Sequence, residues 1–304
     1  MKTLEIYNKG CKGRLMKMLR CIATDMDGTL LNSNQKISKE NETALKLAQE
    51  KGIEIVVATG RSYYEAASVL EDAKIVCPII CVNGAEIRNR EGEKVYSNPI
   101  PAELAKKVMN KLDEMNYYYE LYSNSGTYTR DPQLGLAVLM DLFQSANRDE
   151  AVPWIKMEDQ AKKRFEESVK VVDDYGLLVD EKAFELYKIL VFSKDHEALQ
   201  KAGLELEDPD LAITSSAFGN IEINYKSAQK GVALEAFVQE RGISLAETLA
   251  IGDQLNDLSM LEIVGTAVAM GNAAEEVKQI AHYITATNNE NGVALAITKY
   301  MNLM

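Results

Sequence analysis

Short apolar runs rich in β-branched residues alternate along much of the chain with polar segments of helical periodicity. Leu19 to Thr24 predicts a short buried strand, and Gly28 just beyond it permits a sharp turn. Ser38 can cap a helix from about Lys39 to Lys51, which Gly52 ends. A strand-like stretch from Ile53 to Thr59 follows, then a helical one from Ser62 to about Ala73. A third apolar run, Pro78 to Val82, precedes Asn83-Gly84. This order predicts a doubly wound, mainly parallel Rossmann-like α/β sheet with right-handed crossovers.

From about Ile87 to Tyr225 the texture changes. Tyr117 to Tyr122, Leu186 to Phe192, Ala212 to Thr214 and Ile221 to Asn224 alternate as strands of a half-exposed sheet would, between charged helical segments. The parallel-sheet texture then resumes. It gives a helix from Lys230 to Arg241, a strand from Thr248 to Ile251, a helix near Asn256 to Val264, a strand from Thr266 to Met270, a helix after Asn272 and a strand from His282 to Thr285. The predicted organisation is an N-terminal extension over 1–18, a discontinuous core formed by 19–86 and 226–304, and an inserted α+β domain over 87–225.

At 304 residues, two domains that each bury a core are the natural expectation. A net charge of −12 argues against nucleic acid or an anionic membrane as partner, and an anionic ligand must then be attracted locally. No apolar stretch approaches the roughly 18 residues that span a bilayer. Cys11, Cys21, Cys77 and Cys81 lack the paired spacing of a zinc site, which fits free thiols in a reducing cytoplasm. Residues 1–18 carry lysines but no apolar h-region; a loose extension, or translation starting at Met16 or Met18, accounts for them. Oligomeric state leaves no mark on the sequence.

Candidate chemistry concentrates at strand ends. Asp25 and Asp27 follow the first strand one residue apart, in the sequence Ile22-Ala23-Thr24-Asp25-Met26-Asp27-Gly28-Thr29-Leu30, and share a side of the extended chain. An acidic turn would explain them alone, but a second cluster, Gly252-Asp253-Gln254-Leu255-Asn256-Asp257, follows another apolar run. Carboxylates at two strand ends can meet in the crevice where open α/β sheets bind ligands, and oxygen donors there suit Mg²⁺ with a substrate phosphate. Thr59-Gly60-Arg61 offers a hydroxyl and backbone N–H groups at the second strand end. Lys230, at a helix start, can neutralise a phosphoryl oxygen.

The ordered set Asp25-Met26-Asp27-Gly28-Thr29, Ala58-Thr59-Gly60-Arg61, Lys230 and Gly252-Asp253-Gln254-Leu255-Asn256-Asp257 resembles the haloacid dehalogenase superfamily of aspartate-nucleophile phosphatases. The insert between the second and third motifs resembles the C2 cap of its Cof-type, subclass IIB members, as do Asn83-Gly84-Ala85 and Asn291-Gly292-Val293-Ala294. The resemblance implies that Asp25 is the nucleophile and Asp27 the general acid and base. It implies a Mg²⁺ ion held by Asp25, the Asp27 carbonyl and Asp253, with Asp257 orienting this shell or Lys230. Phosphoryl oxygens would meet backbone N–H groups of Met26, Asp27 and Gly60, the Thr59 hydroxyl, Lys230 and Asn256.

The substrate implied is a small phosphorylated metabolite, a sugar phosphate or a phosphorylated cofactor, because a cap shields the site from macromolecules. A phosphomutase and a phosphoacceptor module of the receiver type are the alternatives. Tyr117, Tyr118, Tyr119, Tyr122 and Tyr128 are candidates to stack on substrate, although alternation assigns half of them to the insert's core. Arg61 and Arg88 are candidates for electrostatic help, whereas Trp154 and the acidic segment near Glu158 suggest structural roles.

Overall fold

The computed structural model describes residues 19–146, 169–215 and 219–302. The chain opens with β1 (Cys21–Thr24), α1 (Lys39–Glu50), β2 (Glu54–Ala58), α2 (Tyr63–Asp72), β3 (Ile79–Cys81), β4 (Glu86–Arg88) and β5 (Lys94–Ser97). Next come α3 (Ala102–Glu114), β6 (Tyr118–Ser123), β7 (Gly126–Thr129), α4 (Pro132–Ala146), β8 (Val169–Val171) and α5 (Tyr175–Val179). They are followed by β9 (Leu186–Phe192), α6 (His196–Glu205), β10 (Leu211–Thr214) and β11 (Asn220–Tyr225). The chain closes with α7 (Lys230–Glu240), β12 (Thr248–Gly252), α8 (Leu258–Leu261), β13 (Thr266–Ala269), α9 (Glu275–Ile280), β14 (Tyr283–Ile284) and α10 (Gly292–Met301).

These strands form an eight-stranded sheet in the order β14-β13-β12-β1-β2-β3-β4-β5 and a six-stranded sheet in the order β10-β11-β9-β6-β7-β8. In the first sheet β1 runs parallel to both β2 and β12, and every β1 side chain is buried, as layers on both faces require. Helix α1 packs on α10 and α7 on α8. Chain order reverses around β1, which makes its carboxyl end the topological switch point. Register pairs Thr24 with Ile251, so the residues that follow β1 and β12 emerge side by side.

The core sheet does not stop at residue 86. Asn83 and Gly84 adopt positive φ (59° and 101°) and reverse the chain, so β4 pairs antiparallel with β3 and β5 with β4. The first sheet therefore reaches Ser97, and the change of texture at Ile87 marks an antiparallel hairpin of the core rather than the start of the insert. A side chain at Gly84 would place its Cβ 2.4 Å from the Gln229 carbonyl, so this reversal also needs glycine for close approach to the start of α7.

The centre of the second sheet is not half-exposed. Every residue of β9 is buried, because the strand lies between two apolar clusters. Ile189 and Val191 pack into the insert's own core, while Leu190 and Phe192 join the cluster that continues into the first sheet. The helix expected near Asn256 to Val264 is a 3₁₀ turn followed by the short α8. Residues 1–18, Trp154 and Glu158 lie outside the described residues. Among the described residues, no helix is long and apolar enough to cross a membrane.

Candidate active site

Asp25 leaves β1 with its backbone N–H donating to the Ile251 carbonyl at 2.9 Å, which ties the carboxyl ends of β1 and β12 together. The chain then makes a wide turn over Met26–Leu30, closed by the Leu31 N–H on the Met26 carbonyl at 2.9 Å. Gly28 bends this turn with φ of 76°. A Cβ there would lie 2.3 Å from Asp253 Oδ2, so glycine is needed for space as well as for conformation. Thr29 Oγ1 donates to Asp253 Oδ1 at 2.7 Å, which fixes that carboxylate against the turn.

Asp25, Asp253 and Asp257 are buried, and one carboxylate oxygen from each falls within 4.8 Å of the others. Facing them is the fully buried Lys230, whose Nζ lies 2.7 Å from both Asp25 Oδ1 and Asp257 Oδ1. The other Asp257 oxygen accepts the backbone N–H groups of Asp253 (2.8 Å) and Gln254 (3.0 Å), so Asp257 shapes the loop and holds the lysine at once.

Burial pushes the Asp25 carboxyl well above the usual range; Lys230 opposes this, and Asp257, Asp253 and Asp27 add to it. Burial and then Asp257 raise Asp253 to about 7. For Lys230, burial alone would lower the ammonium's affinity for its proton, but Asp25 and Asp257 outweigh it and the group is raised. Three carboxylates thus share one ammonium, and the charge deficit together with the all-oxygen donor set fits a hard divalent cation beside Asp25 and Asp253.

Asp27 differs from its neighbour. Its side chain is about half exposed and accepts both arms of Arg61, Nε on Oδ2 at 2.7 Å and Nη2 on Oδ1 at 2.6 Å. Even so, Asp25 and Asp27 line one cavity of about 270 Å³, together with Gly60, Arg61 and Asn256. Thr59 is fully buried at the end of β2, and Met26 is buried too, so only the backbone of Met26 can serve that cavity.

This geometry agrees with the sequence model of the haloacid dehalogenase-like hydrolases, which matches residues 22–297. The chain belongs to this family. It is 40% identical over 280 residues to the phosphatase YwpJ of Bacillus subtilis, covering 91% of this chain and 98% of YwpJ. It is 35% identical over 288 residues to the 5-amino-6-(5-phospho-D-ribitylamino)uracil phosphatase YwtE of the same organism, covering 93% and 99%. The solved structure of a haloacid dehalogenase-like hydrolase from B. subtilis superposes with a TM-score of 0.84 at 38% identity, covering 92% of this chain and 99% of that one.

In this hydrolase the inserted sheet closes the cavity over the acidic cluster with Tyr122, Lys188, Leu190, Asn220 and Glu222. Of these residues only Tyr122, in its run of tyrosines, stands out in the sequence. Lys188 and Glu222 form an ion pair at 2.8 Å with each side chain 3% exposed, an unusual state for a strand lysine. Tyr119 and Tyr128 instead pack into the insert's own core. Arg88 does not reach the cavity; it pairs with Glu86 at 2.6 Å and stacks on Tyr63.

Proposed function

We propose that this chain is a Mg²⁺-dependent phosphatase that hydrolyses monoesters of small phosphorylated metabolites through an aspartyl-phosphate on Asp25. The observation that carries the reading is the division between two carboxylates one residue apart. Asp25 is buried, with Oδ1 held by Lys230 at 2.7 Å, whereas Asp27 stands at the mouth of the same cavity. The relatives YwpJ and YwtE are phosphatases by name, and YwtE's substrate is a small phosphorylated compound.

The Asp25 carboxylate attacks phosphorus, forming a P–O bond as the ester P–O bond breaks, and Asp27 gives its proton to the departing alkoxide. Asp27 then takes a proton from a water molecule that attacks the phosphorus of the acyl phosphate, and Asp25 leaves as a carboxylate with inorganic phosphate released. Lys230 keeps Asp25 oriented and offsets charge, while the Thr59 hydroxyl, the backbone N–H groups of Met26, Asp27 and Gly60, and the Asn256 amide hold the phosphoryl oxygens. When bound by Asp25, the Asp27 carbonyl and Asp253, Mg²⁺ would supply further neutralisation of those oxygens. Asp257 supports the site through Lys230.

The inserted unit shields the cavity from macromolecules and reads the leaving group. Purified protein should release phosphate from members of a phosphometabolite panel with Mg²⁺, and Asp25→Asn should release none. Equal turnover by wild type and Asp25→Asn would overturn the reading. So would a phosphorylated protein that persists without turnover, or an isomerised substrate formed without free phosphate.

A further inference from the structure

Among the polar contacts between the two sheets and their flanking loops is one made by a lysine that the reaction above does not use. Lys188 Nζ donates to the Gly60 carbonyl at 2.8 Å and to Glu222 Oε1 at 2.8 Å, and lies 4.3 Å from the centre of the Tyr122 ring. The Gly60 carbonyl belongs to the same peptide unit as the Arg61 N–H, and that N–H donates to Thr59 Oγ1 at 3.1 Å. A charge-assisted bond on the carbonyl polarises the peptide and strengthens its N–H as a donor. The Thr59 oxygen thereby accepts from the backbone, and its own proton is left to point elsewhere.

Glu222 carries a second branch. Its Oε2 accepts from Asn83 Nδ2 at 2.6 Å, and Asn83 Oδ1 accepts from Asn256 Nδ2 at 3.1 Å. One buried ion pair on the inserted sheet is therefore linked through hydrogen bonds to both Thr59 and Asn256. The seam is closely packed at Gly60, where a Cβ would meet Asn83 Oδ1 at 3.2 Å and Glu222 Oε1 at 3.4 Å.

We propose that Lys188 is a positioning residue that couples seating of the insert to the phosphate cradle, acting through the Gly60–Arg61 peptide to aim the Thr59 hydroxyl at a phosphoryl oxygen. This inference rests on the phosphatase reading for what Thr59 binds. An open insert would withdraw Lys188 and leave the cradle slack, so the site becomes competent only when the leaving group is enclosed.

The test is a double-substitution cycle of Lys188→Met with Thr59→Val. It is read as inhibition by vanadate, which imitates the transferring phosphoryl group, alongside kcat and KM for p-nitrophenyl phosphate and the amide resonance of Arg61. Lys188→Met should weaken vanadate inhibition and lower kcat by about tenfold, and move the Arg61 amide proton upfield. In the Thr59→Val background the same change should cost less than about twofold. The Lys188→Met/Glu222→Gln double variant, which removes both charges of the pair, should give the same non-additivity. Additive losses in a wild type that does bind vanadate, or an unmoved Arg61 resonance, would overturn the relay alone. Failure of the wild type to bind vanadate or hydrolyse phosphate esters would instead overturn the phosphatase reading.

Discussion

Lys230 and Asp257 form an ion pair at 2.7 Å in which neither side chain is exposed at all. Removing one partner of such a pair leaves a buried charge uncompensated, which costs about 3–5 kcal/mol. Lys230→Met, which leaves Asp25 and Asp257 without their shared ammonium, should therefore lower the unfolding free energy by about 3 kcal/mol and cut kcat. Denaturant unfolding supplies the comparison. At the half-exposed Lys106–Asp180 pair, Asp180→Asn should cost no more than about 1 kcal/mol. Similar losses at the two sites would refute the argument from burial.

Gly28 and Gly52 have nearly the same positive φ, 76° and 79°, in opposite surroundings. Nothing lies within 4 Å of a Cβ built on Gly52, whereas one built on Gly28 meets Asp253 Oδ2 at 2.3 Å. Gly52→Ala should cost about 1 kcal/mol in stability and leave kcat unchanged. Gly28→Ala should displace the Asp253 carboxylate and weaken Mg²⁺ activation at least about tenfold, the scale of lost support at a metal ligand. Titrating activity with Mg²⁺ separates the two variants, and equal activation curves would refute the assignment of Asp253.

Arg61 grips Asp27 with two parallel bonds, a geometry that lysine cannot reproduce. The pair is partly solvated, so Arg61→Ala should change stability by less than about 1 kcal/mol. It should nonetheless lower kcat, because Asp27, the carboxylate proposed to carry the proton, loses its orientation. Arg61→Lys, which keeps the charge without the fork, should not restore kcat. Full activity in the lysine variant would mean that charge alone matters there.

Much of the core was legible because its signals are local. Asp25 with Asp27, and Asp253 with Asp257, stand at the ends of apolar runs that can only be buried strands, and the order of the motifs fixed the family. The Lys188–Glu222 pair was not legible. Its members lie 34 positions apart on strands whose alternation resembles a solvent-facing sheet, and only the packing of β9 between two cores turns that polar face inward. The hairpin β4–β5 was hidden for a related reason: positive φ at Asn83 and Gly84 reverses the chain within the core, while the composition beyond them already resembles the insert. The pairing of Arg61 with Asp27 depends on the wide turn at Met26–Leu30, whose conformation no periodicity announces.

The raised proton affinity of Asp253, about 7 against an ordinary 3.8, sets a pH dependence for the metal-free protein. Between those values the folded chain holds a proton that the unfolded chain has released, so stability must fall as pH rises through that window and level off above it. Asp25, raised in the same direction by burial, adds to the loss. A divalent cation that binds the ionised carboxylates displaces these protons, so its stabilising effect must grow with pH. Thermal unfolding in EDTA and in excess Mg²⁺ should therefore give melting temperatures that diverge from pH 5 to pH 8, by several degrees at the upper end. In Asp253→Asn, which has no proton to lose at that position, the EDTA curve should flatten and most of the divergence should vanish. A Mg²⁺ effect of equal size at both pH values in the wild type would show that the cation binds somewhere other than this cluster.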